Sequence, residues 1–184
     1  MKKYILFTLL ISSQFIILSC NKTIDMDKET GNFTQVDGRL VYKGERFTGT
    51  GVGTANLEKI KIEFKDGLKE GLWEVYHKNG NLKEKKTVLN GKLIGIYEIY
   101  NEDGKLSKRY KYDKEGKPIL SEDFYKSGAK KIIIKFNDTG SYGESGVDET
   151  IIYDEKGSII YKKVKSQIII SVGEDKIPAD FKDR

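Results

Sequence analysis

A 24-residue internal repeat constrains the fold of this chain more than any other feature of its sequence. Residues 66–85 align with residues 90–109 at that offset, with six identities in twenty positions. The identical pairs are Gly67/Gly91, Gly71/Gly95, Glu74/Glu98, Tyr76/Tyr100, Gly80/Gly104 and Leu82/Leu106. A repeat of this length indicates one supersecondary unit that buries its surface against its neighbours.

A shorter period of 12 residues lies inside this repeat, in which an aromatic residue is followed four positions later by glycine. The pairs are Tyr76/Gly80, Tyr100/Gly104, Tyr112/Gly116, Phe124/Gly128, Phe136/Gly140 and, after a slip of five residues, Tyr153/Gly157. Twelve residues accommodate one strand and one tight turn, and Asp-Gly and Asn-Gly dipeptides accept the positive φ of hairpin turns. We therefore expect an all-β fold, an antiparallel meander of β-hairpins of about 24 residues each in one elongated sheet.

The composition of the 184-residue chain excludes several function classes. One histidine and one cysteine cannot build a histidine cluster or an internal disulfide, which argues against metal-hydrolase and redox chemistry. We expect no catalysis, no metal and no cofactor. Without Lys2 and Lys3, which lie in a leader described next, 31 basic residues face 28 acidic ones. So small an excess predicts no nucleic-acid partner.

The first 19 residues are typical of a signal peptide. Two lysines precede an apolar run over residues 4–18, which is short for a transmembrane helix. The run ends in Ile17-Leu18-Ser19-Cys20, which resembles the lipobox of bacterial lipoproteins. That resemblance implies cleavage before Cys20, lipidation of its thiol and export to the bacterial cell envelope, on the outer membrane in a Gram-negative host. The alternative is an ordinary secretory signal with an incidental cysteine.

The mature chain divides into four segments by composition. Residues 20–36 are polar apart from Ile24, Met26 and Phe33, and we expect a lipidated cysteine and a tether there. Residues 37–117 contain the regular repeats and residues 118–172 contain divergent hairpin repeats. Residues 173–184 form a polar tail.

The regular repeats resemble a known family. Residues 65–83 are similar to the bacterial variant of the MORN repeat, and residues 41–49 resemble the segment that commonly opens such arrays. The resemblance covers residues 38–117, and it implies a stacked array of hairpins. The family is often labelled a toxin–antitoxin antitoxin of the YwqK type, and lipid-anchored members are common.

Two repeat positions hold aromatic residues, with Trp73 and Tyr97 at one and Tyr76 and Tyr100 at the other. We expect the members of each pair to stack on each other, and the open sheet to offer all four as a binding surface for a protein or a glycan. The alternative is that these rings serve packing between repeats.

Two features near the repeats have the residue types of a catalytic site. His77 enters the Asn79-Gly80 turn, but no nucleophile or acid is marked beside it, so we interpret it as a turn residue. Glu74 and Glu98 hold one repeat position and have the residue types of a catalytic carboxylate pair, but strand alternation favours a polar face instead.

Three other segments have a binding and a structural interpretation. Residues 48–53 are glycine-rich but lack the ending of a phosphate loop, so we expect a turn or bulge. Asp25-Met26-Asp27 lacks the spacing of a calcium loop. Residues 138–148 contain three glycines, and a long hairpin loop is favoured over a cation site.

The last third is rich in isoleucine. Its apolar runs are 132–134, 151–153, 159–161 and 168–170. We interpret them as strands buried on both faces, or on one face and against a partner.

Three functions remain open. The first is a lipid-anchored binding module with a protein partner and a membrane contact through Cys20. The second is an antitoxin or immunity-like protein with one cognate partner. The third is a passive structural protein of the envelope.

Overall fold

The computed structural model describes residues 22–141, 143–165 and 167–171, and the all-β prediction is confirmed for them. Two short 3-10 helices, Thr30–Asn32 and Glu144–Gly146, interrupt the strands. The predicted signal peptide, Cys20 and the predicted tail over 173–184 lie outside the described residues. The strands are β1 (Thr23–Asp25), β2 (Phe33–Val36), β3 (Arg39–Tyr42), β4 (Glu45–Arg46), β5 (Gly49–Ala55), β6 (Glu58–Lys65), β7 (Leu68–Tyr76), β8 (Leu82–Leu89), β9 (Lys92–Tyr100), β10 (Leu106–Tyr112), β11 (Pro118–Phe124), β12 (Lys130–Phe136), β13 (Val147–Tyr153), β14 (Ile159–Val164) and β15 (Gln167–Ser171).

The main sheet has twelve strands, and from β5 to β15 they follow one another in chain order. Each of these strands is antiparallel to its neighbour, so the predicted meander of hairpins is confirmed. Two departures add to it. Strand β1 pairs with β5 in parallel, and β2, β3 and β4 form a separate three-stranded sheet.

Two kinds of turn explain the periods of 24 and 12 residues. Asp66-Gly67 and Asn90-Gly91 are two-residue turns in which both residues have positive φ. The other kind has five residues: Asn101 N–H donates to the Lys105 carbonyl, and Gly104 N–H donates to the Asn101 carbonyl. The same two bonds recur in the turns 77–81, 113–117, 125–129 and 154–158. A strand-ending aromatic residue followed four positions later by glycine is the signature of this second turn.

The segment predicted as a tether is folded from Thr23 onward, so that prediction is wrong for the described residues. Ile24 is buried at 5% exposure with Phe47, Ile62 and Phe64. Met26 and Phe33, the other apolar residues of the segment, pack against the same cluster. Three apolar side chains in a polar stretch are enough to dock it, because β3 and β4 complete the other side of this N-terminal core.

The glycine-rich segment is strand β5, and neither a turn nor a bulge. A Cβ on Gly51 would overlap Met26 Sδ, and one on Gly49 would overlap the Lys22 carbonyl oxygen. The glycines therefore let the N-terminal segment lie directly against the sheet.

The middle of the main sheet is a single layer. No residue of β7, β8, β9 or β10 is fully buried. Burial returns near the other end, where Ile132, Ile152 and Ile160 are 2%, 0% and 6% exposed. The predicted two-sided burial is confirmed for the middle pair of residues in β13, Ile151 and Ile152. It is wrong for β15, where Ile168 and Ile169 are 62% and 58% exposed.

Candidate functional site

Two rows of side chains cross the single-layer region on opposite faces. On the face that we call the aromatic face, the register places Ile62 opposite Trp73, Trp73 opposite Lys86 and Tyr97 opposite Tyr110. On the other, the ladder face, one charged residue from each strand of β6–β11 forms a continuous row. Its members are Lys61, Glu74, Lys85, Glu98, Arg109 and Glu122.

The structure divides the four predicted aromatic residues between these faces. Trp73 and Tyr97 lie on the aromatic face, whereas Tyr76 and Tyr100 lie on the ladder face, so the four do not form one surface. The predicted stacking of repeat-equivalent rings is also wrong. One 24-residue unit spans two strands, which separates equivalent residues by about 9.5 Å, beyond ring-stacking range.

The contacts between rings on the aromatic face involve other partners. Lys86 Nζ lies between the two predicted rings, 4.6 Å from the Trp73 ring centroid and 5.3 Å from that of Tyr97. Lys69 Nζ lies 4.9 Å from the Trp73 centroid. Tyr97 stacks on Tyr110 with centroids 5.6 Å apart and ring planes at 25°. The result is a row of alternating cations and rings that continues into a tyrosine stack.

Glu84 organises the polar side of this row. Its Oε2 accepts the Tyr97 hydroxyl at 3.1 Å and pairs with Lys86 Nζ at 3.3 Å. Burial raises the pKa of Tyr97 far above its ordinary value, and the adjacent Glu84 carboxylate raises it further. The Trp73 indole Nε1 is buried and has no hydrogen-bond partner in the described part of the chain. Trp73 is thus fixed by packing against the N-terminal core and by its two lysines.

The ladder face is charge-neutralised along its row. Lys61 Nζ lies 3.2 Å from Glu74 Oε2, and Arg109 lies 3.1 Å from Glu98 and 3.5 Å from Glu122. The basic and the acidic members each recur every 24 residues in the sequence. Sequence reasoning identified Glu74 and Glu98 as equivalent but missed the complete row. The signal was available, since Lys61, Lys85 and Arg109 share the same spacing.

Two tyrosines complete this row from the same strands. The Tyr76 hydroxyl donates to Glu74 Oε2 at 3.0 Å, and the Tyr100 hydroxyl donates to Glu98 Oε2 at 2.7 Å. Burial and then the Glu98 bond raise the pKa of Tyr100 to about 12. These carboxylates are held by cations and phenols, an arrangement suited to a structural role. In the third repeat, Phe124 replaces the tyrosine and lies 5.8 Å from the Arg109 guanidinium.

His77 serves the turns, as its position predicted. Its Nε2 donates to the Tyr100 carbonyl oxygen at 2.9 Å. Asn79 and Asn81 of the same turn both donate their side-chain amides to the Glu102 carbonyl at 2.7 Å. The polar side chains of one turn therefore bind the backbone at the next turn along this edge.

The loop between β12 and β13 is closed by its own backbone. Asn137 N–H donates to the Gly146 carbonyl at 3.0 Å, and Asn137 Nδ2 donates to the Ser145 carbonyl at 2.8 Å. In the described parts of the chain, no group of three or more His, Cys, Asp or Glu side chains has the arrangement of a metal site. The same parts contain no helix that has both the length and the apolar character to cross a membrane.

Comparisons with known proteins add no identity. No protein-family model matches the chain, and no curated protein sequence matches it. Among solved structures, it is similar to alternansucrase in complex with isomaltononaose, at 14% identity and a TM-score of 0.19. The alignment covers 78% of this chain and 16% of that one, and a TM-score this low supports no inference. The fold alone defines the class, an open-sheet β-hairpin repeat protein.

Proposed function

We propose that this chain is a lipid-anchored protein of the bacterial cell envelope that acts as a binding module through its aromatic face, without catalysis. The observation that supports this most is the single-layer region. It presents Trp73, Lys86, Tyr97 and Tyr110 in one row across four strands, with no second layer of the main sheet over them. Partly exposed aromatic rings fixed in rows are suited to binding, because little side-chain entropy is lost on contact.

The aromatic face is a better binding surface than the ladder face. On the ladder face, Glu98 and Glu122 already contact Arg109, and burying such pairs under a partner costs desolvation without adding attraction. On the aromatic face, Lys69 contacts the Trp73 ring rather than a carboxylate. A cation held over a ring offers a partner both apolar area and charge.

The anchor and the sheet are close together in the sequence. Only three residue steps separate Cys20 from Thr23, the first residue of β1, and extended chain spans at most about 3.5 Å per residue. The Lys22 carbonyl already accepts the Thr50 N–H at 2.8 Å. A lipid on Cys20 therefore holds the N-terminal core within about 10 Å of the membrane surface. The aromatic row begins three strands into the main sheet, beyond β5 and β6.

Lipidation is tested with the Cys20→Ala variant expressed in the native host. We expect the wild-type chain to incorporate labelled palmitate and to fractionate with membranes. The variant should keep its precursor mass and incorporate no label. Label on the variant, or no label on the wild-type chain, would refute the anchor while leaving the binding function to be tested separately.

The binding function is tested by crosslinking the membrane-anchored protein in living cells and identifying what co-purifies at a fixed ratio. We expect one dominant protein, because a fixed row of rings favours a shaped partner. Recovery of glycan, or of only a scatter of abundant envelope proteins, would refute a protein partner. If a strain lacking this chain is harmed and the harm is relieved by removing that same partner, the antitoxin-like function replaces the general one.

A further inference from the structure

The last described strand, β15, lies at the edge of the main sheet. It pairs with β14 on one side, and among the described residues it has no neighbour on the other. Ile168 and Ile169 of this strand are 62% and 58% exposed, the largest values among the exposed isoleucines of the described chain. An exposed apolar edge is a template for pairing with another strand.

The composition of β15 differs from that of the strands before it. Each strand from β6 to β14 has at least one charged residue, whereas β15 reads Gln-Ile-Ile-Ile-Ser and has none. Charged side chains on an edge prevent pairing between molecules, and Lys is the commonest of them. The one strand of this series that has an edge position therefore lacks the feature that blocks pairing.

We propose that β15 is a docking strand for a second copy of this chain, so that two sheets join edge to edge around a two-fold axis at Ile169. The strand is nearly palindromic about that residue. Antiparallel pairing places Ile169 opposite the same residue of the second copy, Ile168 opposite Ile170, and Gln167 opposite Ser171. Apolar residues then face apolar residues and amide faces hydroxyl, so the strand is complementary to itself.

This pairing makes a closed dimer. The same edge serves both copies, which is the definition of an isologous contact, and no second β15 edge is left to add a third copy. The opposite edge of the main sheet is β1, which has three residues and runs parallel to β5. It therefore offers little strand for further growth.

The dimer is tested by replacing Ile169 with cysteine in the full-length chain and adding a short thiol-to-thiol crosslinker. Residues directly opposite in an antiparallel pair have Cβ atoms about 5 Å apart, within reach of such a reagent. We expect most of the Ile169→Cys protein to migrate as a covalent dimer. Leu57→Cys is the matched control, because Leu57 is 75% exposed in the turn between β5 and β6. The control and the wild-type chain, which retains Cys20, should remain uncrosslinked.

A second variant measures the dimer without chemistry. We expect the wild-type protein in mild detergent to sediment as two chains and the Ile169→Lys protein as one, with dimer dissociation constants differing at least tenfold. Circular dichroism of the variant should be that of the wild type, since the substitution is at an exposed edge. A wild-type protein that sediments as one chain and an Ile169→Cys protein that fails to crosslink would overturn the proposal. That outcome includes the case in which residues after 171 cover the edge. Assemblies larger than two chains would overturn it as well. None of these readouts depends on lipidation or on the aromatic face.

Discussion

Arg109 donates from Nε to Glu98 Oε1 at 3.1 Å, across the β9–β10 pair. The same guanidinium reaches Glu122 on β11 at 3.5 Å, so one cation joins three consecutive strands. In a single-layer region, where no hydrophobic core holds the strands, cross-strand side-chain pairs are a principal source of stability. The 24-residue repeat is therefore a repeat of charge as well as of turns.

Replacing Arg109 with methionine tests this role. The change keeps most of the side-chain volume but leaves Glu122, which is 6% exposed, with Lys130 as its remaining cation. We expect the free energy of unfolding to fall by about 1–2 kcal/mol, since the guanidinium is partly exposed. Urea denaturation monitored by circular dichroism measures it.

Lys85→Met is the matched control for that variant. Lys85 occupies the equivalent rung one repeat earlier, but its side chain is exposed and has no ion pair among the described residues. We expect a change of less than about 0.5 kcal/mol. Equal losses from the two variants would show that the row does not stabilise the sheet through its ion pairs.

The Tyr100–Glu98 hydrogen bond predicts a loss of stability at alkaline pH. The ordinary pKa of the phenol is 10.0, and the folded protein raises the pKa of Tyr100 to about 12. The unfolded chain therefore releases this proton first. The stability that Tyr100 contributes is complete below about pH 10 and is lost as the pH rises toward about 12.

Urea denaturation of the wild-type and Tyr100→Phe proteins across this range measures the effect. We expect the difference between their free energies of unfolding to shrink as the pH rises, because only the wild type has the phenol. A difference that stays constant between neutral pH and about pH 12 would contradict the assignment.

Close packing of the N-terminal segment on β5 makes Gly51 a sensitive position. In Gly51→Ala, the new Cβ overlaps Met26 Sδ and lies 3.1 Å from Phe64 Cε2. We expect destabilisation by about 1–3 kcal/mol, since the segment must shift away from the sheet. Gly31→Ala is the control, because a Cβ there meets nothing within 4 Å.

A double-mutant cycle assigns the cause. If the overlap with Met26 is responsible, Gly51→Ala should cost less in a Met26→Ala background than in the wild type. The same cost in both backgrounds would place the strain elsewhere in the N-terminal core.

The repeat pattern was enough to predict the strands, and the reason is local. Asp66-Gly67 and Asn90-Gly91 adopt positive φ at both positions, so the sequence of each turn determines its geometry without help from distant residues. The aromatic-to-glycine spacing marked the five-residue turns for the same reason.

The arrangement of the candidate site needed information that the repeat does not contain. Trp73 and Tyr76 are three residues apart, and alternation along a strand places residues at odd spacings on opposite faces. Applied to these residues, that rule would have separated them. The Trp73–Lys86–Tyr97 contacts depend on the register between strands, which in β8–β9 includes an irregularity between Lys85 and Thr87.

The N-terminal core was missed because its contacts are remote in sequence. Ile24 and Met26 stand in a polar segment, and nothing beside them predicts burial. Their partner Phe64 lies about 40 residues away, and the glycines of β5 that admit them resemble turn residues when considered alone.

The central claim is that the aromatic face binds a partner, and one pair of probes tests it most directly. Tyr97 and Tyr100 lie on the same strand, three residues apart and on opposite faces. A photoreactive phenylalanine placed at either position of the membrane-anchored protein replaces one aromatic ring with another, and irradiation in living cells then records what each face contacts.

We predict one dominant adduct from the probe at Tyr97 and none from the probe at Tyr100. An adduct from Tyr100 alone would assign binding to the ladder face. No adduct from either position, in a chain that is folded and at the membrane, would contradict the binding function of this sheet.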